Sequence, residues 1–148
     1  MSENLQKYTG IIALLSIIIS LIIAHALDYI IPTMRFRTIV IAIILLVFSF
    51  IFLIITFFSS PAAPTKQVMK PSGIYRIIRN PVYTIILFIL YPALCFLFKT
   101  YSGLFLIVPL FFIFIYLSHV EDEHLIELLG NYYKQYQHKT GLFFPKIK

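Results

Sequence analysis

The chain has 148 residues, of which 60% are hydrophobic and 12% are charged, and its formal net charge is +6. Soluble proteins carry roughly 25% charged residues, so this composition excludes an ordinary soluble domain and predicts an integral membrane protein. The positive charges are dispersed and form no nucleic-acid motif, which favours anionic lipid headgroups over DNA or RNA as their surroundings. A single cysteine, Cys95, excludes a disulfide framework within the chain.

Two long apolar segments begin the chain. Residues 8–31 are apolar over the length needed to cross a hydrocarbon core about 30 Å thick. Pro32 ends this helix, because proline lacks the backbone N–H that a continuing helix requires, and residues 38–60 form a second span. Two further prolines then end the second helix, and a polar loop follows over residues 61–80.

Two more spans follow the polar loop. Residues 81–98 form the third span, in which Pro92 is tolerated because neighbouring helices can satisfy the freed carbonyl. Residues 104–119 form the fourth, and no stop signal occurs before Gly130, so we expect its helix to project into a tail over residues 120–148. The sequence therefore predicts an all-α integral membrane protein, with four transmembrane helices in a single membrane domain (1–148) and a cytoplasmic C-terminal extension.

The distribution of basic residues predicts the orientation of the spans. The polar loop carries Lys66, Lys70, Arg76 and Arg79, and the tail carries Lys134, Lys139, Lys146 and Lys148. Because cytoplasmic loops are enriched in lysine and arginine, we expect this loop, the tail and both termini to be cytoplasmic. No charged residue lies at the centre of any span, which disfavours a proton-coupled transporter.

The first polar cluster lies at residues 73–83, where the third span begins. Asn80 before Pro81 is typical of a helix N-terminus, and capping alone remains a sufficient explanation for this pair. If the segment is helical, Arg76 and Arg79 share one face, and together with the helix N-terminus they form a site suited to a carboxylate or phosphate. Gly73 permits a sharp turn or a close approach of the backbone to a ligand.

The second polar cluster lies where the fourth span leaves the membrane. Four acids occur within seven residues, namely Glu121, Asp122, Glu123 and Glu127. Like-charged carboxylates on one helix repel each other, so such a cluster favours a cationic partner. A solvated helix end that pairs with Arg76 and Arg79 is the simpler alternative. The spacing of these acids and the neighbouring His119 and His124 matches no metal-ligand pattern, so we expect no metal site.

Together the two clusters resemble a known family signature. The sequence reads Gly73-Ile74-Tyr75-Arg76-Ile77-Ile78-Arg79-Asn80-Pro81-Val82-Tyr83, and later Glu121-Asp122, Leu125, Leu129-Gly130, Tyr133, Tyr136 and Pro145. This is similar to the C-terminal signature of the isoprenylcysteine carboxyl methyltransferase and phospholipid methyltransferase superfamily. The resemblance covers residues 68–145, and the first two spans match only as generic membrane helices.

The resemblance implies a membrane enzyme that binds S-adenosylmethionine at the cytoplasmic face and methylates a lipid-borne or small hydrophobic acceptor. It implies catalytic roles for Arg79 and Glu121. The implied cofactor-binding residues are Gly73, Tyr75, Arg79, Asn80, Pro81, Tyr83, Glu121 and Asp122. The sequence departs from the pattern where Asn80 stands at a frequent histidine, Asp122 at the commoner second glutamate, and Thr140-Gly141 at a usual Val-Pro pair.

The sequence does not determine whether the methyl acceptor is a carboxylate or an amine. A carboxylate acceptor is already nucleophilic and would need only an arginine to orient it, whereas an amine needs a base, for which Glu121, Glu123 and His124 are the candidates. Two other functions also stay open. One is an NADPH-dependent membrane lipid reductase, and the other is a small four-helix membrane protein without enzymatic activity, or a transporter.

Overall fold

The computed structural model describes residues 2–28, 37–59 and 71–146, and the regular elements in these ranges are helical. The helices are α1 (Ser2–Asp28), α2 (Arg37–Ser59), α3 (Pro81–Leu97), α4 (Ile107–Leu129) and α5 (Asn131–Lys139). Short 3-10 turns over Gly73–Arg76 and Tyr101–Leu106 lead into α3 and α4. The predicted all-α fold is therefore confirmed for the described part of the chain.

Among the described residues, three helical segments are long and apolar enough to cross a membrane, namely Tyr8–Leu27, Ile39–Ser59 and Tyr101–Leu129. They correspond to the first, second and fourth predicted spans. The third predicted span is the helix Pro81–Leu97, which is apolar but shorter than the others. The predicted breaks at Pro32 and at residues 61–64 lie outside the described residues, as do Lys66, Lys70 and Lys148.

Helices α1 and α4 run antiparallel, as shown by contacts between the start of one helix and the end of the other. Near the start of α1, the Thr9 hydroxyl donates to Glu121 Oε1 at 3.1 Å. Near its end, the carbonyl of Ala24 accepts a hydrogen bond from Ser102 Oγ at 3.0 Å, just before α4 begins. The start of α1 and the end of α4 therefore lie together.

The end of α2 lies beside the polar loop. The carbonyl of Ser59, the last residue of α2, accepts a hydrogen bond from Ser72 Oγ at 2.7 Å. Gly73 has φ +52, and a Cβ built on it would lie 2.5 Å from Ser59 Oγ, so this position requires glycine both for its backbone conformation and for space. We call the region around Thr9, Gly73, Asn80 and Glu121 the polar end of the bundle.

The core lies where α1, α3 and α4 meet. Tyr83 and Phe114 pack edge to face with their ring centroids 5.1 Å apart, which is a favoured geometry for aromatic pairs. Buried apolar residues from the three helices and the tail complete the cluster, namely Ala13, Leu87, Tyr91, Cys95, Leu110, Leu117 and Phe143. Many large apolar side chains outside this cluster are exposed on α1, α2 and α4, for example Ile22, Phe50 and Phe112, as expected for helices surrounded by lipid.

Helix α3 contains a π-helical turn over Ile86–Leu90, which ends two residues before Pro92. Proline cannot donate to the preceding turn, and its ring collides with the carbonyl four residues earlier, so the widened turn lets the helix continue past it. The Tyr91 N–H accordingly bonds to Ile86 O, five residues back. The phenol of Tyr91 is fully buried and donates to Gly103 O at 3.0 Å, which fixes the end of the bundle opposite the polar end.

Candidate functional site

The polar loop is held against the C-terminal tail by backbone hydrogen bonds. The Arg79 N–H donates to Gly141 O at 2.8 Å, and the Asn80 N–H donates to Leu142 O at 3.1 Å. In return the Gly141 N–H donates to Ile77 O at 3.2 Å, which completes a short parallel bridge between Ile78 and Gly141. A proline at position 141 would lack the N–H that makes this bond, so the glycine found here suits the bridge.

Glycine at position 130 turns the chain between α4 and α5. Gly130 has φ +57 and ψ −132, a conformation that side-chain-bearing residues rarely adopt. No heavy atom lies within 4 Å of a Cβ built there, so backbone conformation rather than space selects glycine. The turn folds α5 back so that Tyr133 and Tyr136 reach the polar end of the bundle.

An ion pair joins the two polar clusters. Arg79 Nη1 lies 3.1 Å from Asp122 Oδ2, and the two side chains are only 13% and 5% exposed. The Tyr133 phenol donates to the other carboxylate oxygen, Oδ1. Asp122 therefore contacts Arg79 through the ion pair and Tyr133 through a hydrogen bond, and this carboxylate holds both side chains in place.

Glu121 is held from two other helices. The Thr9 hydroxyl of α1 and the Tyr83 phenol of α3 both donate to the same carboxylate oxygen, Oε1. An ionised carboxylate only accepts hydrogen bonds, so two converging hydroxyls suit it well. The second oxygen, Oε2, is held by neither hydroxyl.

The tyrosines of α5 complete this arrangement. The Tyr136 phenol donates to Tyr75 O at 2.6 Å, which ties α5 to the 3-10 turn of the polar loop. Burial raises the pKa of the Tyr133 phenol above its ordinary value, and its hydrogen bond to Asp122 raises it further. Burial also raises the pKa of Tyr136 to about 12, although the nearby charge of Arg79 opposes the shift. Both phenols are therefore neutral hydrogen-bond donors at physiological pH.

These side chains surround a cavity of about 330 Å³ at the polar end. Its wall comprises Tyr75, Arg79, Asn80, Pro81, Val82, Tyr83, Glu121, Leu125, Tyr133 and Tyr136. This volume lies at the lower end of the range of about 300–1,000 Å³ that is typical of small-molecule sites. Six of the residues that the sequence analysis singled out for a cofactor thus line one cavity, namely Tyr75, Arg79, Asn80, Pro81, Tyr83 and Glu121.

Two of the proposed cofactor-binding residues lie outside the wall of this cavity. Gly73 packs against the end of α2, and Asp122 lies behind Arg79. The segment is not one continuous helix, so the condition under which Arg76 and Arg79 would share a helical face is not met. Arg76 ends the 3-10 turn and is exposed, whereas Arg79 lies in a bend after it and is largely buried.

The acids of the second polar cluster likewise do not all face the cavity. Glu121 faces the cavity and Asp122 pairs with Arg79, but Glu123 and Glu127 are exposed. Neither Glu123 nor His124 lines the cavity wall. Successive residues of a helix point about 100° apart, so adjacent acids cannot all reach the same site. Of the three candidate bases, Glu121 is the one that the fold brings to the cavity.

Two side-chain donors in the cavity wall have no partner among the described residues. These are Arg79 Nε and Asn80 Nδ2, and both atoms are buried. Asn80 occupies the N-cap position of α3 and Pro81 its first turn, as predicted, but the Asn80 side chain makes no capping hydrogen bond. Capping alone therefore does not explain Asn80. Buried polar atoms without partners are rare in folded proteins, and both of these atoms belong to residues that line the cavity.

An apolar groove of about 450 Å³ adjoins the cavity. Its wall combines α2 residues with two residues of the cavity, namely Leu53, Ile54, Phe57, Phe58, Tyr75 and Val82. Tyr75 and Val82 line both spaces. Phe57 and Phe58 are 78% and 82% exposed, so the groove opens on the face of α2 that carries the apolar surface of a candidate span.

The sequence analysis did not assign four residues of the cavity wall to a site, namely Val82, Leu125, Tyr133 and Tyr136. All four lie within the quoted signature, so their place in that pattern was the signal available for including them. Thr9 is different, because a single threonine in an apolar span carries no such signal.

Comparison with known proteins adds no relative, since no protein-family model, curated protein or solved structure matches the chain.

Proposed function

We propose that this protein is an S-adenosylmethionine-dependent methyltransferase that acts on a lipid-borne or small hydrophobic acceptor at the membrane surface. The observation that carries the proposal is that two segments far apart in the chain line one cavity. Tyr83 and Glu121 are 38 residues apart, yet they are hydrogen-bonded in its wall. The adjoining apolar groove supports an acceptor that arrives with a hydrophobic chain.

The residues present fit the chemistry of this cofactor. Its carboxylate matches the free donors Arg79 Nε and Asn80 Nδ2, and its ribose hydroxyls and ammonium group match the carboxylate of Glu121. Aromatic faces such as those of Tyr75 and Tyr133 suit a sulfonium cation. When bound, S-adenosylmethionine would supply a methyl group: the acceptor forms a bond to the methyl carbon as the carbon–sulfur bond breaks, and neutral S-adenosylhomocysteine leaves with the bonding electrons.

The protein itself contributes orientation and charge. Asp122, which accepts a hydrogen bond from Tyr133, holds Arg79 in a buried position, so the Arg79 guanidinium can bind an anionic group without first losing side-chain freedom. Thr9 and Tyr83 likewise hold the Glu121 carboxylate in one orientation. Val82 and Leu125 add apolar surface to the wall, which helps to exclude water from the reacting groups.

Both classes of acceptor are compatible with these residues. Arg79 would orient a carboxylate, which needs no base. An amine would need to lose a proton, and Glu121 is the residue in the cavity wall that can accept it. His124 and Glu123 take no part in this step, because neither side chain lines the cavity.

The membrane arrangement belongs to the same proposal. In it α3 is a fourth, short span, and the polar end of the bundle, the C-terminal extension and both termini are cytoplasmic. The antiparallel contacts of α1 and α4 support this arrangement, because they bring the start of α1 and the end of α4 to one end of the bundle. The basic residues of the polar loop and the tail favour the cytoplasm for that end.

Ligand binding tests the proposed function directly. The purified protein in detergent is titrated calorimetrically with S-adenosylhomocysteine and, separately, with NADPH. Binding of S-adenosylhomocysteine alone is the expected result, whereas binding of NADPH alone would indicate the lipid reductase, and binding of neither would exclude both enzymes. Transfer of a labelled methyl group from S-adenosylmethionine to a total membrane lipid extract then identifies the acceptor.

A further inference from the structure

The first span, which shares no motif with the family signature, contributes a polar side chain to the candidate site. Thr9 lies in α1 and is only 5% exposed. Its hydroxyl donates to Glu121 Oε1 at 3.1 Å, across 112 residues of sequence. A buried hydroxyl in an apolar span is costly unless it is hydrogen-bonded, and Glu121 supplies that partner.

Other hydroxyls of α1 have different partners. Ser16 Oγ donates to Ala13 O at 2.7 Å, one turn earlier in the same helix, which is the usual local bond of a helical serine. Ser20 is hydrogen-bonded to the Tyr91 phenol near the opposite end of the bundle. Thr9 is thus the α1 hydroxyl that contacts a residue of the cavity wall, within the described part of the helix.

The contact restricts the orientation of the Glu121 carboxylate. Thr9 approaches Oε1 from α1, and Tyr83 approaches the same oxygen from α3. Two donors on one oxygen fix both the position of Oε1 and the rotation of the carboxylate group. The other oxygen, Oε2, is bound by neither donor and is the one available to a ligand in the cavity that Glu121 lines.

We propose that Thr9 is a positioning residue for Glu121, so that α1 forms part of the candidate active site in addition to anchoring it in the membrane. The inference rests on the proposed function, because it assigns Glu121 to a ligand that donates hydrogen bonds, such as the ribose or amino group of the cofactor. Without Thr9, the carboxylate keeps one of its two donors and gains rotational freedom, which weakens ligand binding.

The experiment compares isosteric variants of two buried threonines. Thr9→Val removes the hydroxyl and keeps the shape of the side chain. Thr56→Val makes the same change in α2, where the buried Oγ1 has no partner among the described residues, and is the matched control. We expect Thr9→Val to weaken S-adenosylhomocysteine binding about tenfold in calorimetry, because the ligand must then restrict the freed carboxylate, at a cost of about 1.4 kcal/mol.

Rescue separates positioning from packing. Thr9→Ser restores the hydroxyl and should bind within about twofold of the wild type, as should Thr56→Val, and the melting temperatures of all the variants should stay close together. If Thr9→Val fails to fold, Thr9→Ala replaces it as the variant that lacks the hydroxyl. Normal wild-type binding with equal affinities for Thr9→Val, or for Thr9→Ala, and Thr9→Ser would overturn the role of Thr9 alone. A wild type that binds no S-adenosylhomocysteine would overturn the proposed function together with it.

Discussion

Arg79 Nη1 lies 3.1 Å from Asp122 Oδ2 in a buried ion pair, but Arg79 alone of the two lines the cavity. Asp122 therefore acts on the site through Arg79. The pair also joins the polar loop to the end of α4, so it combines a structural role with the placement of a charged donor. Mutations at the two positions should consequently affect stability as well as binding.

Loss of Arg79 should destabilise the fold. Arg79→Ala leaves the Asp122 carboxylate buried without its counter-ion, and breaking a buried pair in this way costs about 3–5 kcal/mol in the free energy of unfolding. Arg76→Ala is the control, because Arg76 is exposed on the same segment and its loss should change stability by less than about 0.5 kcal/mol. Denaturant unfolding in detergent measures both, and equal stabilities would show that the ion pair contributes nothing.

Glu121→Gln should abolish S-adenosylhomocysteine binding while the protein remains folded. Glutamine keeps the size of the side chain and an oxygen that can accept from Thr9 and Tyr83, but it removes the negative charge from the cavity. Glu127→Gln makes the same change at an exposed position of α4 and should bind normally. Calorimetry measures the affinity of both variants for S-adenosylhomocysteine. Unchanged affinity in Glu121→Gln would show that Glu121 does not bind this ligand.

Gly130→Ala should destabilise the protein by about 1–3 kcal/mol, because alanine is strained at φ +57 and ψ −132. It should also weaken binding, since α5 would no longer hold Tyr133 and Tyr136 in the cavity wall. Gly10→Ala is the control, because Gly10 lies within α1 with free space around it, and alanine there should be neutral or stabilise by up to about 1 kcal/mol. Thermal unfolding that ranks Gly130→Ala at or above Gly10→Ala would contradict the prediction.

Tyr136 should make stability depend on pH at alkaline values. Its pKa is about 12 in the folded protein and about 10 in an unfolded chain. The folded state therefore keeps a proton that the unfolded state loses, so the contribution of Tyr136 is fully present below pH 10 and is lost as the pH rises through 12. Tyr136→Phe lacks this group and should lose less stability between pH 10 and pH 12. Melting temperatures of both proteins across that window test the expectation, and parallel curves would refute it.

Much of the fold could be predicted from local sequence. The apolar run lengths located the long helices, and Asn80-Pro81 and Gly130 correctly marked the start of α3 and the end of α4. These features depend on hydrophobicity and on the backbone preferences of proline and glycine, which act within a few residues. The motif segments likewise identified most of the cavity wall. The motif segments could not separate inward-facing residues from exposed ones. Position along the sequence does not indicate whether Arg76 or Arg79, or whether Glu121 or Glu123, faces inward.

Composition and short-range backbone chemistry are sufficient to predict an apolar, helical protein with two polar clusters. The contacts of Asp122 with Arg79, of Gly73 with Ser59 and of Thr9 with Glu121 are apparent only in the folded protein. These pairings depend on how whole helices pack and rotate against one another. The energy that sets the rotation of each helix is spread over many apolar contacts, so no single residue in the sequence predicts that rotation.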